Sequence, residues 1–130
     1  MHFAYPGVMS TTLLTSFRRA GRGIVLAFRT EQNIRRHTAV ALFVFALCFI
    51  APIQVWQAVA IIIVMAFVFV VELVNTSIER FMNMVKPQFS DAARDVKDIA
   101  AGAVLIAALA SVCTGLIIFG PYALFLIRHV

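Results

Sequence analysis

Charge is scarce in this sequence. Only 13% of its 130 residues are Asp, Glu, Lys or Arg, six are acidic, and 62% are hydrophobic. Soluble domains carry about a quarter charged residues, so water is excluded as the solvent for most of this chain. Cysteine is almost missing: Cys48 and Cys113 sit singly inside apolar runs, with no C-x-x-C spacing and no clustered histidines. That excludes a zinc site or redox pair built on them. The phosphate-binding signatures of soluble enzymes are absent too. There is no G-x-x-x-x-G-K-[ST] loop, no strand leading into G-x-G-x-x-G, and no H-R-D or D-F-G. Residues 1–15 lack the basic start, apolar run and small-residue cleavage site of a signal peptide, so none is expected. The formal charge of +5 does not point to nucleic acid, because the basic residues flank apolar spans instead of forming a soluble basic face.

What is present is helical periodicity. Within 16–36, projection at ~100° per residue groups Phe17, Ala20, Ile24 and Phe28 on one side and Arg18, Arg22 and Arg29 on another. This is the pattern of an amphipathic helix lying in a membrane surface. Its arginines suit anionic headgroups first and substrate phosphate second. Gly21 and Gly23 weaken such a helix while permitting close approach of another helix or a headgroup. Three apolar spans are expected to follow, at 38–53, 57–85 and 99–119. Ser90 would cap the last helix, Asp91, Asp95 and Asp98 would complement its start, and Gly120-Pro121 would stop it. The expected fold is therefore an all-α membrane protein, an N-terminal amphipathic surface helix followed by three transmembrane helices, with tails at 1–15 and 122–130. Basic residues precede span one and join spans two and three, whereas 51–57 carries no charge. The amino terminus and the acidic residues are thus expected in the cytoplasm, and the carboxyl terminus outside.

Glu72 is preceded by fourteen uncharged residues, 58–71, and a lipid-facing carboxylate is costly. Glu72, Asn75 and Glu79, at i, i+3 and i+7, share one helix face within roughly 60°. Glu31 is misplaced on its helix, at the edge of the apolar side and away from the arginines. Such a position calls for a cation or a partner. All the acids are expected at one membrane level. Two glutamates from different helices would satisfy Mg²⁺, which takes a few carboxylates plus phosphates and water. A third carboxylate beside the apolar boundary could accept a proton from a hydroxyl, and Lys97 could neutralise phosphate. Plainer readings stand beside these. Asn75 could hydrogen-bond between helices, Glu79 and Arg80 could be snorkelling surface charges, and Asp91 and Asp95 fit ordinary helix-start charge.

Three stretches carry a family resemblance: S-F-R-R-A-G-R-G-I-V-L-A-F-R-T-E-Q-N-I-R-R-H at 16–37, V-E-L-V-N-T-S-I-E at 71–79 and V-K-D-I-A-A-G-A-V-L-I-A at 96–107. In this order, the sequence resembles the small prokaryotic integral-membrane diacylglycerol kinases, including their undecaprenol kinase branch, over roughly residues 16–120. The resemblance implies a homotrimer with sites shared between subunits, and ATP- and Mg²⁺-dependent phosphorylation of a lipid alcohol at the cytoplasmic membrane. It implies Glu72 as general base and Asn75 as its helper in positioning the reacting groups. Glu31 and Glu79 would be metal ligands, and Lys97 and Asp98 nucleotide contacts. The chain departs from the family pattern at Asn83, where an acid is usual, and at Gln88-Phe89-Ser90, where a Glu-Tyr-His-like segment is usual. Residues 33–37 look more like the undecaprenol branch. Two other classes fit the residues: a small transporter binding protons or a cation at Glu72, and a non-catalytic membrane subunit.

Overall fold

The computed structural model describes residues 13–85 and 91–128. All regular structure among them is helical: α1 (Leu13–Thr30), α2 (Gln32–Ile50), α3 (Val55–Val85) and α4 (Asp91–Arg128). At ~1.5 Å per residue, the 19 residues of α2 extend about 28 Å, the 31 of α3 about 46 Å and the 38 of α4 about 57 Å. Against a ~30 Å hydrocarbon core, α2 just crosses, while α3 and α4 overrun it. Those three helices are long and apolar enough to span a membrane. The expectations for residues 1–12, for the cap at Ser90 and for Gln88-Phe89-Ser90 lie outside the described residues.

Three expected boundaries move. Helix α1 begins at Leu13, inside the expected tail, because Leu13 stands one turn before Phe17 and prolongs the same apolar stripe. The expected helix over 16–36 breaks at Glu31, whose backbone is extended (φ −102°, ψ 119°). The break is held by hydrogen bonds in place of glycine or proline. Glu31 N–H donates to Ala27 O at 2.8 Å, and Arg35 on α2 reaches back to Phe28 O and Arg29 O at 3.2 and 3.1 Å. Arg35 thereby satisfies carbonyls that the end of α1 leaves without helical partners. The third correction is at Gly120-Pro121, where α4 does not stop but runs on to Arg128. A proline removes one helical hydrogen bond, and helices in lipid tolerate that loss because leaving the helix would expose many more backbone groups.

The α2/α3 turn and the α3/α4 hairpin follow from local chemistry. Pro52 disfavours helix at Ala51, which is extended at ψ 139° and closes α2. Gln57 in the first turn of α3 accepts from the Gln54 backbone N–H at 2.8 Å, half of a capping box. The same Gln57 oxygen accepts from the Tyr122 hydroxyl at 3.0 Å, and at the other end Lys97 donates to Asn83 at 2.6 Å. These two bonds fix the antiparallel register of α3 on α4, and interpolation between them sets Glu72 level with Ala107 and Ala108. Ala93, Ala100 and Ala107 are buried at heptad spacing along α4. That spacing gives a shallow left-handed seam whose small side chains let α3 come close. Most large apolar side chains, Phe43, Ile62, Leu105 and Ile117 among them, face outward, as lipid-facing helices do.

Candidate functional site on the buried face of α3

Glu72, Asn75 and Thr76 are the buried polar side chains among the described residues, with Glu72 only 2% exposed. They continue the face of α3 that Ile61 and Val68 bury nearer Val55, the i, i+3, i+4 spacing placing all of them on one side. The Asn75 amide donates to Glu79 Oε1 at 3.0 Å, one turn on. That bond leaves Asn75 Oδ1 facing the interior, where it and Glu72 Oε2 have no hydrogen-bond partner. Two neighbouring buried acceptors without donors are expensive. They form a place where a hydroxyl or a cation would be welcome.

Glu31, on the corner between α1 and α2, meets α3 through Arg80. The guanidinium Nη2 lies 2.9 Å from Glu31 Oε1 and also donates to Thr30 Oγ1. The Thr30 hydroxyl lies 3.0 Å from both Leu26 O and Glu31 Oε1, and gives its single proton to one of them. The Arg80 hydrogen bond holds the Glu31 carboxyl below its ordinary value of 4.5, helped by Thr30 and by the charges of Arg80 and Arg35, and opposed by partial burial. Glu31 therefore has the cationic partner that its position on the helix demanded.

The structure brings some of the expected site residues together and leaves others apart. Glu79 and Arg80 are consecutive, so Glu31, Arg80, Glu79 and Asn75 form one chain of contacts and neighbours. Glu72 lies about 10 Å further along α3 than Glu79, at ~1.5 Å per residue. Lys97 is bound to Asn83, about 6 Å beyond Glu79 in the opposite direction by the same ~1.5 Å rise. Asp98 is exposed, and its carboxylate meets none of the other site residues. Asp91 and Asp95 are exposed near the start of α4. The acids thus descend a slope from the surface to Glu72 and do not gather at one level as expected, because α3 and α4 are continuous helices that carry each charge to a different depth. Gly21 and Gly23 face open space, so among the described residues no other helix uses them for close approach.

Among the described residues no three His, Cys, Asp or Glu side chains converge on one point. Glu31 and Glu79, the pair expected for a divalent ion, are two carboxylates on different helices with no third such ligand grouped with them. Each keeps spare acceptor capacity, since a carboxylate offers about four lone-pair sites, and two hard carboxylate ligands completed by phosphate and water suit Mg²⁺. Arg80 and Thr30 are the contributors that the sequence pattern missed. Arg80 looked like a surface charge, and Thr30 like an ordinary helix residue. The misplacement of Glu31 was the available signal. On the Val55 side of Glu72, a cavity of about 260 Å³ lies between α2, α3 and α4, lined mostly by apolar residues such as Val40, Val44, Ile61 and Val68, with His37 at the end nearer Glu72.

Three apolar helices, with a buried carboxylate where the uncharged run of α3 ends, define a small α-helical membrane protein. The chain belongs to the prokaryotic diacylglycerol kinase family, whose model matches residues 18–119. It is 37% identical over 106 residues to an undecaprenol kinase of Bacillus subtilis, covering 82% of this chain and 86% of that one. It is 33% identical over 108 residues to a diacylglycerol kinase of Synechocystis sp., covering 82% of this chain and 62% of the longer relative. By family this is a membrane-embedded lipid kinase, a transferase of lipid metabolism.

Proposed function

We propose that the chain transfers the terminal phosphate of ATP to the hydroxyl of a membrane lipid alcohol, diacylglycerol or undecaprenol, at the cytoplasmic surface of the cell membrane. The observation that carries this reading is Glu72, a carboxylate buried in a spanning helix with Oε2 unpartnered beside the unpartnered Oδ1 of Asn75. A lipid hydroxyl is a donor of the right kind, delivered by its own apolar body to that depth, and the adjoining cavity offers its hydrocarbon an apolar wall. Glu72 takes the hydroxyl proton as the lipid oxygen bonds to the γ-phosphorus. The bond from that phosphorus to the bridging oxygen breaks, and ADP leaves. A base in this position contributes about 10²–10⁴ in rate.

Glu31 and Glu79 would hold Mg²⁺, which when bound neutralises charge on the ATP phosphates. Asn75 fixes the Glu79 carboxylate by its 3.0 Å bond. Lys97, at the inner end, serves the phosphates or the rest of the nucleotide, with Asp98 beside it. The orientation follows from the arginines ahead of α2 and the basic residues ahead of α4. Helix α1, with its arginine stripe, lies in the inner interface. The functional unit is a homotrimer. The test is transfer of labelled phosphate to a panel of lipid alcohols in mixed micelles, with wild type beside Glu72→Gln. Labelling of one lipid by wild type alone supports the reading, and equal labelling by a folded Glu72→Gln removes Glu72 as base.

A further inference from the structure

Resting on the kinase reading above, we propose that Arg80 is a resident counter-cation of the site: its guanidinium holds Glu31 until a divalent cation takes that carboxylate, and then turns to the phosphate oxygens arriving with the metal. Arg80 leaves α3 next to Glu79 and crosses to the α1/α2 corner, where Nη2 meets both Glu31 Oε1, at 2.9 Å, and Thr30 Oγ1. Among the described residues it is the cation that pairs with Glu31, since Arg35 is spent on the backbone oxygens of Phe28 and Arg29, and Lys97 on Asn83. The one guanidinium therefore ties Glu31 to the turn of α3 that also carries Glu79, the second carboxylate suited to the metal.

The exchange is physically open. Side-chain exposure is 39% for Arg80 and 29% for Glu31, so the pair is reached by water and is weak enough to yield. Glu31 Oε1 already accepts from Arg80 and lies within reach of Thr30, so a hard cation taking this carboxylate meets the like charge of the guanidinium, which turns away. The released group has a planar fork that matches phosphate oxygens in pairs, which an ammonium cannot do. Arg80 thus opposes binding of the bare cation and favours binding of the cation with its nucleotide. In the resting chain it also keeps Glu31 neutralised at the membrane edge.

The experiment is Mn²⁺ binding followed by electron paramagnetic resonance on the full chain in detergent micelles, with and without a non-hydrolysable ATP analogue. Wild type, Arg80→Gln and Arg80→Lys are compared, with helix content checked by circular dichroism. Arg80→Gln is expected to bind Mn²⁺ alone about fivefold more tightly than wild type, and the Mn²⁺–analogue pair about tenfold more weakly. Arg80→Lys is expected to stay near wild type for Mn²⁺ alone and to lose part of the affinity for the pair. If Arg80→Gln weakens binding of Mn²⁺ alone while Arg80→Lys remains folded and unchanged in both conditions, Arg80 is a strut and the proposal is overturned. Unchanged affinities in both variants overturn it as well. If wild type still labels a lipid in those cases, the kinase reading survives. Wild type that neither binds Mn²⁺ nor labels any lipid overturns both.

Discussion

Glu72 combines two properties that rarely coexist, a carboxylate and 2% exposure, on a helix whose preceding fourteen residues are uncharged. That contrast made it legible in the sequence, because a charge in an apolar run is an expense that demands a reason. Arg80 was not legible, since a charge at a helix end ordinarily snorkels, and only the fold reveals that it crosses to Glu31. Asp98, expected from resemblance, is set apart from Glu72 in this chain because α4 carries it to another depth. Glu72→Gln should lower turnover by about 10²–10⁴ with little loss of helix, measured by lipid labelling and circular dichroism. Asn75→Ala removes the donor that fixes Glu79 and leaves one less orphan acceptor. It should raise the Mg²⁺ concentration needed for half-maximal rate by about tenfold, the equivalent of about 1.4 kcal/mol for one charge-assisted hydrogen bond, while Glu72→Gln should leave that requirement unchanged.

The spans themselves were readable as elements, because long apolar runs have no other stable use in a chain this poor in charge. Their ends were less readable. The corner at Glu31 has no glycine or proline, and the guanidinium of Arg35, four residues further on, is what satisfies the end of α1. Gly120-Pro121 reads as a stop by the rules for soluble helices, yet lipid penalises exposed backbone enough to carry α4 through it. The corner should depend on pH. Glu31 has a carboxyl held below 4.5, so its stabilising effect is fully present above that value and is lost as pH falls through the lowered one. Thermal stability followed on acidification should therefore drop below about pH 4.5, the ordinary value, and Glu31→Gln should remove that part of the dependence. At the opposite end, Tyr122→Phe deletes the bond to Gln57 and should cost about 0.5–1.5 kcal/mol in unfolding free energy. Gly21→Ala and Gly23→Ala meet nothing within 4 Å. Each should stabilise α1 by about 0.5–1 kcal/mol, and a fall in lipid phosphorylation despite higher helix content would mean that the glycines serve a headgroup.

As a whole the molecule is a hairpin of long helices with a shorter span and a corner helix added to it, and most of its large apolar side chains face outward. Such faces suit lipid and suit other copies of the chain, and the homotrimer we propose should appear in detergent as a species of three chains by light scattering. The family was legible because Glu72, Asn75 and Glu79 stand at helical spacing in one stretch and Lys97 opens another that follows in order. The assembly was not, since one chain's periodicity cannot separate a lipid-facing stripe from a partner-facing one. The central claim is that Glu72 takes the proton of a lipid hydroxyl during phosphate transfer from ATP. Its most direct measurement is labelled phosphate transfer with Mg²⁺ to diacylglycerol and undecaprenol in mixed micelles, for wild type and Glu72→Gln. Labelling of a lipid by wild type, reduced by two or more orders of magnitude in a folded Glu72→Gln, is the expected result at the roughly 10²–10⁴ due to a general base. Equal labelling by the two proteins would contradict it.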